Sequence, residues 1–188
     1  MVAIIHNSKS LRNALHYKEN NLKRGVANFI HSGNYPNDTE LRGFSDKINR
    51  LERLTALNQQ TKINSIHISL NFDVSEKLST GKLKEITDGY MRKIGFGDQP
   101  YLVYQHNDAG HPHIHIVSTN IEADGKRISL HNIGELRSEP ARKAIEIDFG
   151  LVQASGKKNA CEPAEDLKIR PLEYGTMDTK RAITNIVN

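Results

Sequence analysis

The stretch Tyr101–Asn120, YLVYQHNDAGHPHIHIVSTN, carries four of the chain's nine histidines: His106, His111, His113 and His115. Residues 101–106 read as one strand and 113–121 as a second. In the second, His113 and His115 alternate with Ile114 and Ile116, as side chains on opposite faces of a strand do. The six residues between, NDAGHP, are rich in turn formers, so the two strands make an antiparallel hairpin with His106 opposite His113. Opposed side chains share a face, with Cβ atoms about 4.5–5.5 Å apart. His115, two residues on, returns to that face. Three imidazoles from two strands therefore converge, which is the donor set of an open three-histidine metal site with positions left for water or a substrate oxygen.

His111 alternates with His113 and His115 as well. Residues i and i+4 of a strand lie roughly 13 Å apart, too far for His111 and His115 to grip one ion together. Pro112 also puts the start of the regular strand after His111, so His111 is expected at the rim. His67, with Ser69 and Asn71 on the polar face of another strand, and Asp108 in the hairpin loop are expected to orient a ligand histidine or accept a proton. An Asp in such a loop also serves as a turn cap.

Outward from the hairpin, MVAII (1–5) reads as a first strand. Ser10 then caps a helix whose buried stripe is Leu11, Ala14 and Leu15. HSGNYPNDTE (31–40) reads as loop. From Glu40 to Gln60, Leu41, Phe44, Ile48, Leu51, Leu54 and Leu57 recur at helical spacing, with Arg42, Lys47, Arg50 and Arg53 on a solvated opposite face. INSIHISLNF (63–72) alternates as a half-buried strand. Residues 78–96 are expected to be a helix begun near Ser79 or Thr80 and stopped by Gly95. After the second hairpin strand come a turn at ADGK (123–126), a short strand at 127–130 and a helix at 138–150 ended by Gly150. The fold class is α/β: a largely antiparallel central sheet flanked by helices, with a C-terminal extension. Residues 1–150 are expected to be the catalytic domain. Residues 151–188 are expected to be a linker or arm and the start of a helix cut from a longer protein.

At 188 residues and 37% hydrophobic content the chain can bury a core. Its apolar runs are too short for a membrane span or an export signal, so no membrane insertion and a cytoplasmic location are expected. The single Cys161 excludes an internal disulfide framework and a cysteine zinc site. A net charge of +4 and a pI near 9.1 lean towards polyanions.

The run from His106 through His111 and His113 to His115 resembles the metal motif of the HUH endonucleases, named for two histidines around a hydrophobic residue. With the upstream histidine and the STN that follows, the chain is similar to the relaxase/mobilisation nucleases of plasmids and mobilizable transposons. The resemblance covers about residues 1–150, with a weaker echo in HISLNFDVSEKLS (67–79). It implies that His106, His113 and His115 bind a divalent ion. It also implies that a tyrosine on the helix after the first strand, here Tyr17 in SLRNALHYKENN, is the nucleophile. From the residues alone, Tyr17 is one of six tyrosines and a helix-edge position, while Tyr104, two residues before His106, reads as packing.

The chemistry so implied is nicking of single-stranded DNA at an origin of transfer, with a 5′-phosphotyrosyl intermediate. A phenol gives up its proton near pH 10 in water, so the attack needs a proton acceptor, for which a metal-linked water, His16 and His67 are candidates. The family implies Mn or Mg as cofactor, and an imidazole donor set also admits Zn or Ni in vitro. Lys23, Arg24, Lys126 and Arg127 are candidate DNA contacts, although each taken alone is an ordinary surface charge. An accessory mobilisation protein and a coupling protein are the implied partners. Two other classes fit the same histidines: a non-catalytic DNA-binding domain with a structural metal, and a metal-dependent hydrolase of small phosphoesters.

Overall fold

A computed structural model describes residues 1–35, 43–106 and 110–154. Among the described residues five strands and four helices follow in the order β1 (Val2–Ser8), α1 (Leu11–Lys23), β2 (Ala27–Gly33), α2 (Phe44–Ala56), β3 (Ser65–Asn71), α3 (Thr80–Lys93), β4 (Tyr101–His106), β5 (His113–Thr119) and α4 (Glu139–Asp148). The strands form one sheet in the order β1-β3-β5-β4-β2, antiparallel at every pairing. This is the α/β class with an antiparallel sheet that the residue pattern implies. Met1–Ala154 make up one compact unit, which runs past the composition change at Leu151. Asp108, the expected helix start at Glu40 with Leu41 and Arg42, and residues 155–188 lie outside the described residues.

Strand alternation sorts the core into two layers. Ile66, Ile68 and Leu70 of β3, Val103 of β4 and Ile114 and Ile116 of β5 point to the face covered by α3 and α4, where they meet Leu83, Ile86, Tyr90, Met91 and Ile145. Leu102, Tyr104 and Val117 point the other way and meet Leu11 and Leu15 of α1 and Ile48 and Leu51 of α2. At roughly 1.5–3 kcal/mol for each fully buried large apolar side chain, these layers fix the sheet and hold α1 against its second face. The histidines of β4 and β5 lie on that second face, beside α1.

Local chemistry sets the helix ends. The Ser10 side chain accepts from the Asn13 N–H at 3.2 Å, and Ser79 does the same for Lys82. Gly95, at φ +85°, ends α3 in the left-handed region that glycine tolerates.

Several expectations need correction. Residues 31–33, expected to be loop, belong to the strand Ala27–Gly33, which pairs with β4. A bulge between Phe29 and His31 breaks its alternation: Ile30 joins the α3–α4 layer, and His31, next in sequence, turns to the same side and meets Asp88 of α3, so no period of two survives in the sequence. The segment at 127–130 is not a strand: a single bridge joins Ile121 and Arg127 around the expected turn at Gly125. A π-helical turn, Gly134–Ser138, precedes α4. Lys47 is buried, not solvated, because its ammonium meets the Glu19 carboxylate at 2.9 Å and lies 4.1 Å from the Phe29 ring centre. The helix expected to reach Gln60 ends at Ala56, where the Asn58 side chain accepts from the Thr61 N–H and hydroxyl.

Candidate metal centre and the tyrosine helix

The β4–β5 register pairs His106 with His113 and Tyr104 with His115. All four side chains therefore lie on the α1 face. One ring nitrogen from each of His106, His113 and His115 falls within 4.8 Å of the other two, close enough to converge on a single cation with sub-ångström side-chain adjustment. His106 and His113 are buried, and His115 is half-buried.

Neighbouring groups set the ring orientations. His113 Nδ1–H donates to the His111 carbonyl at 3.2 Å, which turns Nε2 towards the cluster. His115 Nδ1 lies 3.0 Å from His67 Nε2. Burial, then the Lys18 charge, hold His67 down to about 4 and His115 down to about 2, with neighbouring imidazoles adding to both. Both rings are neutral at pH 7, the state a metal needs. The donor chemistry, spacing and protonation state therefore suit a divalent cation. His111 sits at the edge, its Nε2 3.2 Å from Asn71 Oδ1. A cleft of about 280 Å³ opens beside it, lined by Val2, Asn71 and Asp73 among others.

Tyr17 projects from α1, on the same side of the sheet as the histidines, and is 62% exposed. The other described tyrosines are engaged. Tyr104 donates to Glu19 and Tyr101 to Asp88, each at 2.6 Å, Tyr35 donates to the Lys47 carbonyl, and Tyr90 bonds the Ser138 hydroxyl. Burial raises the hydroxyl pKa of all four, that of Tyr90 to about 12. Among the described residues, Tyr17 is the tyrosine whose hydroxyl can meet a macromolecular substrate.

A family model for the relaxase nuclease domain of the MobA/VirD2-like type matches residues 17–151. The chain belongs to this relaxase family. No curated protein matches it.

In this relaxase domain the basic residues divide by position. Lys23 and Arg24 close α1 a few residues before Ala27, which pairs with His106. Both are exposed at the histidine end of the sheet. Lys126 and Arg127 follow the far end of β5, roughly 20 Å along the strand from His113, and Lys126 is paired with Asp124 at 2.6 Å. The fold brings the first pair towards the end of the sheet that carries the histidine cluster and leaves the second away from it. His16 stacks on Phe44 of α2, with centroids 4.4 Å apart.

Sequence reading missed two buried charged residues on α1, Lys18 and Glu19, and misplaced a third, Lys47, on a solvated face. For Lys18 and Glu19 a signal existed. They fall seven and eight residues after Leu11, on the buried stripe of α1. No described helix is long and apolar enough to cross a membrane.

Proposed function

We propose that this domain nicks one strand of DNA at an origin of transfer for conjugative mobilisation, with Tyr17 as nucleophile and His106, His113 and His115 holding a Mn or Mg ion. The observation that carries the reading is the convergence of three imidazole donors within 4.8 Å, on the sheet face against which α1 presents an exposed tyrosine.

The bound cation would supply positive charge to the non-bridging oxygens of the scissile phosphate. The protein's own residues do the rest. The backbone carbonyl of His111 and the ring of His67 fix the two β5 ligands, so the donors are set before substrate arrives. Tyr17 attacks phosphorus in line, forming a 5′-phosphotyrosine and releasing a 3′-hydroxyl. One phosphoester replaces another, so the nick can be resealed. His67 is assigned to orienting His115 and not to taking the tyrosine proton, because a ring held to about 4 is a weak acceptor at neutral pH.

Val2 and Ile4 are exposed on the same face as His67 and offer an apolar lane for unstacked bases next to the ion. Lys23 and Arg24 would neutralise backbone phosphates. An accessory mobilisation protein would melt or present the origin, and a coupling protein would receive the covalent complex.

The test is incubation with Mn and single-stranded oligonucleotides tiled across the origin of the encoding element. A covalent adduct mapped by mass spectrometry to the Tyr17 peptide is the expected result. Multiple-turnover hydrolysis of a small phosphodiester without an adduct would instead identify a water-using hydrolase. DNA binding with no cleavage, and a melting temperature that collapses in chelator, would identify a structural metal site.

A further inference from the structure

At its histidine end the sheet is crossed by a row of side chains, Val2, Asn71, His113 and His106, each paired with the next. Two strand spacings of about 4.8 Å separate Val2 from His113. The cleft of about 280 Å³ opens at the Val2 end of this row. Its His111 ring stands 5.4 Å from the His113 ring, centre to centre. A nucleotide whose phosphate sits at the histidines therefore reaches the cleft with its base.

The walls are fixed before anything enters. Phe72 N–H donates to the Pro112 carbonyl at 2.9 Å, which ties the end of β3 to the segment carrying His111. Another wall, residues 152–154, is held at three points. Val152 N–H donates to Glu76 Oε1 at 2.7 Å, the Val152 carbonyl accepts from the Met1 ammonium at 2.9 Å, and Ala154 N–H donates to Glu146 at 2.9 Å. Glu76 also accepts from the Asp73 N–H at 3.2 Å, so one side chain joins the two walls. Pockets for drug-sized ligands run to about 300–1,000 Å³, so this one suits a single ring system. Val2 and Val152, both exposed, give it apolar surface. Its charge argues against a phosphate: the Asp73 carboxylate lies in the lining, while the Met1 ammonium is buried against Glu146. The Ser75 N–H and hydroxyl both donate to Asp73 Oδ1. These bonds hold the carboxyl below its usual range and leave Oδ2 to accept from a ligand N–H.

We propose that this cleft takes the base of a nucleotide flanking the scissile phosphate, and that Asp73 selects a base with an exocyclic amine over thymine. This rests on the nuclease reading above. A carboxylate accepts from the N4 amine of cytosine, and adenine and guanine also carry an amine. Thymine presents the O4 carbonyl where cytosine has its amine, so two acceptors would face each other. Contact with the flat face of a base is tolerant of sequence. Discrimination against thymine therefore belongs to Asp73, and the share common to all bases to Val2 and Val152.

The experiment uses the full chain and first maps the nick on the cognate oligonucleotide through the covalent adduct formed in Mn. Oligonucleotides carrying each base, or an abasic residue, at the two positions flanking the nick are then bound in chelator and followed by fluorescence anisotropy. At one of the two positions, thymine and the abasic residue are each expected to weaken binding about tenfold. Asp73→Asn keeps an acceptor for Ser75 and replaces Oδ2 by an N–H donor. It should erase the thymine penalty and leave the abasic penalty. Val152→Ser, whose backbone bonds are unchanged, should weaken the strands that carry a base there and not the abasic one. Equal affinity for all five strands at both positions would sink this inference alone, as would a thymine penalty that survives Asp73→Asn. A wild-type chain that forms no adduct on its own origin sinks the nuclease reading, and this inference with it.

Discussion

His67 Nε2 stands 3.0 Å from His115 Nδ1, across the β3–β5 pairing. One of the two nitrogens carries the proton and the other accepts it. Whichever does, the His115 ring is held with its other nitrogen towards His106 and His113. Groups one shell out from a metal typically change its affinity 10–100-fold. His67→Phe, which keeps the ring volume and removes the bond, should weaken Mn binding by a factor in that range. Calorimetry on the folded variant measures it, and wild-type affinity would show that His115 needs no such support.

His111 makes the contrasting case. Its side chain bonds Asn71, while its backbone carbonyl serves His113. His111→Ala keeps the carbonyl, so the thermal upshift given by Mn should persist. His106→Ala, His113→Ala and His115→Ala should each abolish it. Thermal melts with and without Mn settle the point. Loss of the upshift in His111→Ala would move the site to the other end of the histidine run.

Stability should depend on acid through the same rings. A free imidazole titrates near 6.5, whereas His67 is held to about 4 and His115 to about 2, by burial first and then by Lys18. The unfolded chain therefore takes up protons that the folded one refuses. Stability is full above about pH 6.5 and falls as pH drops from there towards 4, by up to about 1.4 kcal/mol per pH unit for each ring. The interval from pH 6.5 to 5 lies above the carboxylate range, so it isolates the histidines. Urea midpoints in chelator across that interval should decline steadily, and a flat profile would mean the rings are better solvated than their burial implies.

The β4–β5 hairpin could be read directly because a short turn-rich loop joins two segments whose alternation is unbroken. Register then placed His106 opposite His113 without further information. β2 could not be read, since the bulge after Phe29 reverses which side chains face which layer. The buried charges fail for another reason. Lys47 sits among arginines that are solvated, and nothing local says that a carboxylate 28 positions earlier will meet it. Tyr17 was marked out by resemblance and not by pattern. What the fold adds is that the other described tyrosines have their hydroxyls tied down.

Gly33 tests the edge of the sheet. It pairs with Tyr101, and a Cβ built on Gly33 would lie 2.0 Å from Cζ of the Tyr101 ring. That ring is anchored by its hydroxyl, which donates to Asp88 at 2.6 Å, while His31 Nε2 meets the same Asp88 oxygen at 2.8 Å. Gly33→Ala must therefore displace an anchored side chain, at a cost of about 1–3 kcal/mol. The urea midpoint should fall accordingly while Mn binding to the intact fold is kept. An unchanged midpoint would mean that β2 can shift to make room.

The Glu19 carboxylate joins the two helices to the sheet, accepting from Lys47 of α2 at 2.9 Å and from Tyr104 of β4 at 2.6 Å through a single oxygen. Removing one partner leaves the other charge buried. Glu19→Leu strands the Lys47 ammonium among aromatic rings and should cost about 3–5 kcal/mol. Lys47→Met should cost less, because Tyr104 still donates to Glu19. The double variant should be more stable than Glu19→Leu alone, since it removes the stranded charge. Urea unfolding of wild type, both single variants and the double variant gives the coupling directly. Strictly additive losses would show that the two charges do not depend on each other, and that α1 is held to the sheet by Leu11 and Leu15 alone.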